Sequence, residues 1–277
     1  MRMKSRLSVF KILSTVILLA LTLFFIFPFY WILTGAFKSQ PDTIVIPPQW
    51  WPSQPTWENF EQLLFQNPAT HWLWNSIFIS TATMLLVCVT SSLAGYVLAK
   101  KRFYGQRWLF LLFVASMALP KQVILVPLVR IVNFLGIHDS LAAVILPLVG
   151  WPFGVFLMKQ FSENIPTELL ESAKIDGCGE LSTFWNVAFP IVKPGFAALA
   201  IFTFINTWND YFMQLVMLTS RENLTISLGV ATMQAEMATN YGVIMAGAAL
   251  ASVPIVVVFL LFQKSFTQGI TMGAVKG

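Results

Sequence analysis

Two groups of residues in this chain carry the chemistry that its composition allows. Asn206, Asn209, Asp210 and Gln214 recur at intervals of three and four, which stacks them on one helical face. They lie in an apolar run from 194 to 220 that only Asp210 interrupts with charge. Polar groups at that depth avoid lipid, so the stripe either lines a solute path or hydrogen-bonds across helices. Lys121 follows Pro120 in a second interrupted run, 108 to 129. It either pairs with Asp210 or extends its ammonium to the outer interface. The second group, Glu168, Leu169, Glu171, Ser172, Ala173, Asp176 and Gly177, falls in the polar segment 159 to 194.

Neither group is a catalytic constellation. A nucleotide hydrolase needs a phosphate loop of the form Gly-x4-Gly-Lys-Ser/Thr, and the chain has none. The two histidines, His71 and His138, stand far apart and outside any His-Glu-x-x-His pattern, so no metal site is expected. Cys88 lies inside an apolar run and Cys178 in a polar loop; two thiols at different depths make no disulfide.

The elements that must position these residues are membrane helices. Apolar residues make up 57% of the chain and charged ones 10%, with mean hydropathy +0.73, where a soluble domain carries roughly 25% charge. The uncharged stretches 12–37, 72–99, 140–158 and 237–263 are each long enough to cross hydrocarbon, and the two interrupted runs bring the expectation to six crossings. The fold class is therefore all-α, a single polytopic transmembrane domain over residues 1–277. A stand-alone secondary transporter, the main rival, would show inverted repeats and broken helices at the midplane, and the sequence displays neither.

Six crossings place thirteen of the seventeen Lys and Arg residues on one side, leaving Lys38, Lys121, Arg130 and Arg221 on the other. Short basic loops stay in the cytoplasm, so both termini and the loops at 100–107 and 159–194 are expected there. The net charge of +5 thus reads as membrane topology, and no nucleic-acid partner is expected. The basic start with its long apolar run is read as a retained first helix, too long for a signal peptide. Outside, residues 38–71 hold Pro41, Pro47, Pro48, Pro52 and Pro55 with Trp50, Trp51 and Trp57, an extended segment anchored by aromatic residues at the interface. The polar segment 220–241 either docks a partner or connects two helices.

The segment 159–194 carries more structure than a connector requires. Pro166, Glu168 and Glu171 suit a helix's first turn, Leu169, Leu170 and Ala173 are read as one apolar face, and Gly177 suits a left-handed stop. A second run from Glu180 to Phe189 ends at Pro190, with Gly177 and Gly179 permitting a sharp bend between the two. Such a knuckle packs on its own bundle or enters a groove on a partner.

This segment resembles the EAA loop of permease subunits of binding-protein-dependent ABC importers. The pattern appears as Glu171-Ser172-Ala173, three residues, Gly177, nine residues, then Val187-Ala188-Phe189-Pro190. Ser, Val and Phe replace the Ala, Ile and Leu of the usual motif. Ile165-Pro166-x-Glu168-Leu169, Trp208-Asn209-Asp210 and the closing Gly273-Ala274-Val275-Lys276-Gly277 are similar to the sugar-transporting branch related to the maltose permease's second subunit. The resemblance implies a type I importer fold, a related permease partner, two cytoplasmic ATPase subunits and an extracytoplasmic substrate-binding protein. It also implies a carbohydrate substrate and a multi-pass place in the cytoplasmic membrane lipid. ATP and Mg would bind on the partner ATPases and no cofactor on this chain. By the same resemblance, the residues from Glu168 to Gly177 named above would meet the ATPase, and the 264–277 tail would lie against the ATPase pair.

Overall fold

The computed structural model describes residues 2–236 and 240–274, and every regular element among them is helical. The order is α1 (Arg2–Ala36), α2 (Gln40–Thr43), α3 (Glu58–Phe65), α4 (Ala69–Lys100), α5 (Gln106–Ser116), α6 (Lys121–Phe134), α7 (Leu141–Ile145) and α8 (Pro152–Glu163). Then follow α9 (Thr167–Ile175), α10 (Glu180–Thr183), α11 (Phe189–Trp208), α12 (Tyr211–Met217), α13 (Ile226–Glu236) and α14 (Tyr241–Ala274). Among the described residues, four unbroken stretches are long and apolar enough to cross a bilayer: Val9–Ala36, Ala69–Lys100, Glu180–Trp208 and Tyr241–Phe262. Two bent pairs, Gln106–Ser116 with Lys121–Phe134 and Leu141–Leu148 with Pro152–Glu163, bring the total to six if each is one span. In α1 the side chains of Leu18, Phe24 and Phe25 are exposed, a surface that suits hydrocarbon and not water.

Contacts divide the chain into residues 1–69 with 230–253, and residues 70–229 with 254–277. In the first unit, the segment expected to be extended contains α2 and α3. Asn59 on α3 donates to the carbonyls of Ala36 (2.9 Å) and Lys38 (2.7 Å), satisfying groups that the end of α1 leaves free. Aromatic pairs Trp31–Trp50 and Phe37–Trp57 pack the same corner. Lys38 is only 2% exposed. Its ammonium donates to the Gln49 carbonyl and lies 4.4 Å from the Trp31 ring centre. Burial pulls this lysine below its ordinary pKa, with Asp42 offsetting part of the effect.

In the second unit, three apolar runs, each expected to form one crossing, are broken. The α5–α6 pair turns through 105° ahead of Pro120. Proline lacks an N–H and forces the residue before it out of the helical region. Pro152 at the start of α8 accompanies a 42° bend, and α11 stops at Trp208 with Asp210 capping α12. Pro190, by contrast, stops nothing. A π-helical turn over Phe184–Ala188 joins α10 to α11, so one 29-residue helix runs from Glu180 to Trp208. The wider i→i+5 turn absorbs the change in hydrogen-bond register that a proline demands. The apolar core of this unit includes Val87, Met158, Phe184, Val192 and Leu199.

The polar segment after α12 is folded rather than a bare connector. A 3₁₀ turn at Arg221–Asn223 precedes α13, and Trp72 donates its indole N–H to the Arg221 carbonyl at 2.7 Å. Asp139, in a left-handed conformation (φ 58°), clasps the approach to this turn. One carboxylate oxygen accepts from the amides of Thr219 (2.8 Å) and Ser220 (3.0 Å), and the other accepts from the Ser220 hydroxyl. Its own amide donates to the Met217 carbonyl, and its carbonyl accepts from Asn223. Burial alone would raise the Asp139 carboxyl, but these bonds outweigh it and hold the group below the usual carboxylate range. A depressed carboxyl stabilises the clasp fully above the ordinary value of ~3.9 and loses that contribution as pH falls through the folded value. Asp139→Gly keeps the backbone angle and removes only the carboxylate. We expect it to raise amide exchange of residues 217–223 about tenfold or more at pH 7, an effect that wild type shows only in strong acid. Unchanged exchange would show that the carboxylate holds nothing.

The closing motif is partly placed. Helix α14 reaches Ala274, and Val275, Lys276 and Gly277 lie outside the described residues.

Candidate functional site

The knuckle is built from α9 and α10. Lys100, at the end of α4, donates to the carbonyls of Glu163 (3.1 Å) and Ile165 (2.7 Å), fixing the entry to α9. At the exit, Cys178 donates to the Ala173 carbonyl and Gly177 to that of Lys174, and Gly177 has φ +78°. That pair of bonds with a left-handed residue is the Schellman stop, which the sequence anticipates at Gly177. The ammonium of Lys101 pairs with Glu180 at the start of α10 and ties the end of α4 to the knuckle.

The expected apolar face of α9 divides. Leu170 and Ala173 are buried against the core, whereas Leu169 is 45% exposed. Successive residues turn by about 100°, so Leu169 cannot share the side that Leu170 buries. Glu168, Glu171, Ser172, Asp176 and Gly177 are exposed with it, and Ala173 is an anchor rather than a contact surface. Two exposed apolar residues complete the outer surface, Ile175 (87%) and Leu181 (64%). Both were missed from sequence. The available signal was an apolar side chain at each lip of the Gly177–Gly179 bend, in an otherwise polar setting.

The polar stripe also divides, because the helix that would align it ends at Trp208. Asn206 and Asn209 are exposed and donate to the carbonyls of Phe202 and Ile205 on their own helix. Gln214 is 1% exposed. It donates to the Thr207 carbonyl at 2.9 Å, a group that the break leaves without its helical partner, and accepts from the Thr225 hydroxyl. It is a staple across the break. Asp210 accepts from the Met213 amide (3.2 Å) and faces Lys121 at 3.6 Å. Of the two alternatives for Lys121, the structure takes the pairing.

Asn206 and Asp210 line one recess with Lys121, Trp151, Thr83 and Thr203. A neighbouring pocket of ≈ 180 Å³ is lined by Lys121, Gln122, Leu148, Trp151, Asp210 and Phe212 among others. Among the described residues there is no cluster of three potential metal-binding side chains.

Residues 91–272 match the family model described as binding-protein-dependent transport system inner membrane component. The chain belongs to this family. The arabinooligosaccharides transport system permease protein AraQ of Bacillus subtilis (strain 168) is 32% identical, over 100% of both chains. The melibiose/raffinose/stachyose import permease protein MelC of the same organism is 33% identical, over 90% of this chain and 91% of its own. The crystal structure of a bacterial ABC transporter involved in the import of the acidic polysaccharide alginate matches with a TM-score of 0.81. That likeness covers 94% of this chain and 97% of the other at 21% identity, and it establishes the fold. The match to the inner membrane component family takes in the knuckle, the three breaks and the Lys121–Asp210 pair.

A charge exchange tests that pair. Lys121→Asp and Asp210→Lys are each expected to slow transport about tenfold, and the double variant to recover all but the loss of the Asp210 cap, about 1 kcal/mol. A double variant no faster than either single would show that the two charges do not act together.

Proposed function

We propose that this chain is the permease subunit of an ATP-driven importer that admits a saccharide to the cytoplasm. In this reading a binding protein delivers the sugar outside, a second related permease completes the pathway, and two ATPase subunits bind ATP and Mg and hydrolyse the nucleotide. The asymmetry of Lys and Arg supports placing both termini and the knuckle in the cytoplasm. Saccharides are favoured because AraQ and MelC are named as oligosaccharide permeases.

One observation carries the proposal. The exposed knuckle is covalently and helically continuous with the span that ends beside Asp210, a rod of 29 residues or about 44 Å. An ATPase gripping Leu169, Ile175 and Leu181 would move the far end of that rod with little loss in bending. Hydrolysis can then change the pathway, provided the grip differs in strength between the two nucleotide states. Glu168, Glu171, Ser172 and Asp176 surround the grip with polar contacts, and Gly177 sets its turn.

Broken helices also serve secondary transporters, so the discriminating measurement is energetic. Vesicles holding the full set of subunits should accumulate an oligosaccharide only with internal ATP and external binding protein. Accumulation by this chain alone under an ion gradient would sink the proposal.

A further inference from the structure

We infer that this subunit itself holds a binding site for one uncharged sugar ring, in the 180 Å³ pocket where the broken spans meet; the inference rests on the saccharide reading above. Helices α6, α8 and α12 all begin at this pocket, with Lys121, Pro152 and Tyr211 as their first residues. In hydrocarbon, irregular backbone survives only where protein or a water-filled cavity covers it. Three adjacent interruptions therefore mark a cavity that is kept open, since a purely structural bundle would gain by closing it with continuous helices.

The lining suits a sugar. Trp151 and Phe212 present flat apolar surfaces to which the C–H face of a pyranose or furanose can stack. Asp210 offers a carboxylate to sugar hydroxyls, and Lys121 and Gln122 offer donors. The Lys121–Asp210 separation of 3.6 Å exceeds the ~2.7–2.9 Å of a tight charged hydrogen bond. Each group therefore keeps capacity for a hydroxyl placed beside both. Their charges cancel, so an acidic sugar gains no net attraction. The volume lies below the ~300–1,000 Å³ of pockets for larger ligands, which suits a single ring of a chain passing through.

The test uses the complete purified importer without its binding protein, titrated with arabinotriose, maltotriose and trigalacturonate. Wild type should bind a neutral trisaccharide in preference to the acidic one. Trp151→Ala should weaken that binding about tenfold, and Trp151→Phe should restore it to within about threefold. Asp210→Asn keeps a competent helix cap but leaves Lys121 unbalanced. It should shift preference toward trigalacturonate by about tenfold. Recovery of each variant as an assembled complex controls for folding. Affinity and preference unchanged in both Trp151→Ala and Asp210→Asn would overturn the subsite, as would a wild-type importer that transports a saccharide in vesicles but binds none of the three. An importer that neither binds nor transports any saccharide would instead remove the saccharide reading, and this inference with it.

Discussion

Replacing Ile175 and Leu181 together with aspartate is expected to abolish ATP-driven uptake while leaving the protein folded in the membrane. Both side chains are mostly exposed, and substitutions at such positions change stability by about 0.5 kcal/mol or less. Their apolar surface finds a purpose only when something covers it. Burying a Leu or Ile side chain is worth roughly 1.5–3 kcal/mol, and a carboxylate left in an apolar groove adds a desolvation cost. A combined loss of about 4 kcal/mol weakens docking nearly a thousandfold. Two measurements separate this from misfolding: the ATPase subunits should no longer co-purify, and the melting temperature should hold. Leu170→Asp gives the contrast. Leu170 is 7% exposed in the core beneath the knuckle, so a charge there should remove the folded protein itself. Wild-type uptake by the Ile175/Leu181 variant would mean that the knuckle transmits nothing.

The sequence and the structure agree where a local rule acts on a short segment. The stop at Gly177 was legible because a left-handed residue after Lys174 and Ile175 satisfies carbonyls that nothing else reaches. The long spans were legible from apolar length alone. Continuity was harder to read. Pro190 looks like an end and is passed by a π turn, whereas Asn209 and Asp210 look like two members of a stripe and mark a break. In each case the outcome depends on a partner distant in sequence or on a local change of hydrogen-bond register. Gln214 accepts from Thr225 and donates to Thr207, which makes the break affordable. The Lys121–Asp210 pair joins residues on separate spans, and periodicity within one span carries no information about it. The same limit applies to Asp139, whose hydrogen-bond partners lie about eighty positions away.

Gly95→Val is expected to be the most damaging single substitution in the helix core, and its effect connects packing with transport. A Cβ on Gly95 would fall 2.6 Å from the Lys159 amide nitrogen and 2.7 Å from the Met158 carbonyl carbon. These are backbone atoms of α8, so no side-chain rotation relieves the clash and α4 must separate from α8. Two neighbouring glycines are also closely approached, there by side chains: Gly154 faces Ser91, and Gly195 faces the Phe161 ring. Small residues let membrane helices approach closely because lipid supplies no hydrophobic drive to hold them together. A single methyl at Gly95 should cost about 1–3 kcal/mol by overpacking, and the two further methyls of valine more than that. Gly95→Ala should therefore lower the melting temperature measurably, and Gly95→Val should leave little assembled protein. The consequence reaches the knuckle because α8 leads through Ile165 into α9, and Lys100 bonds that junction from the end of α4. Spreading α4 from α8 thus loosens the mount on which α9 sits. In any Gly95→Ala protein that does assemble, ATP hydrolysis should continue with less solute moved per nucleotide. If Gly95→Val accumulated normally and melted with wild type, the close approach of α4 and α8 would not be what holds the knuckle in place.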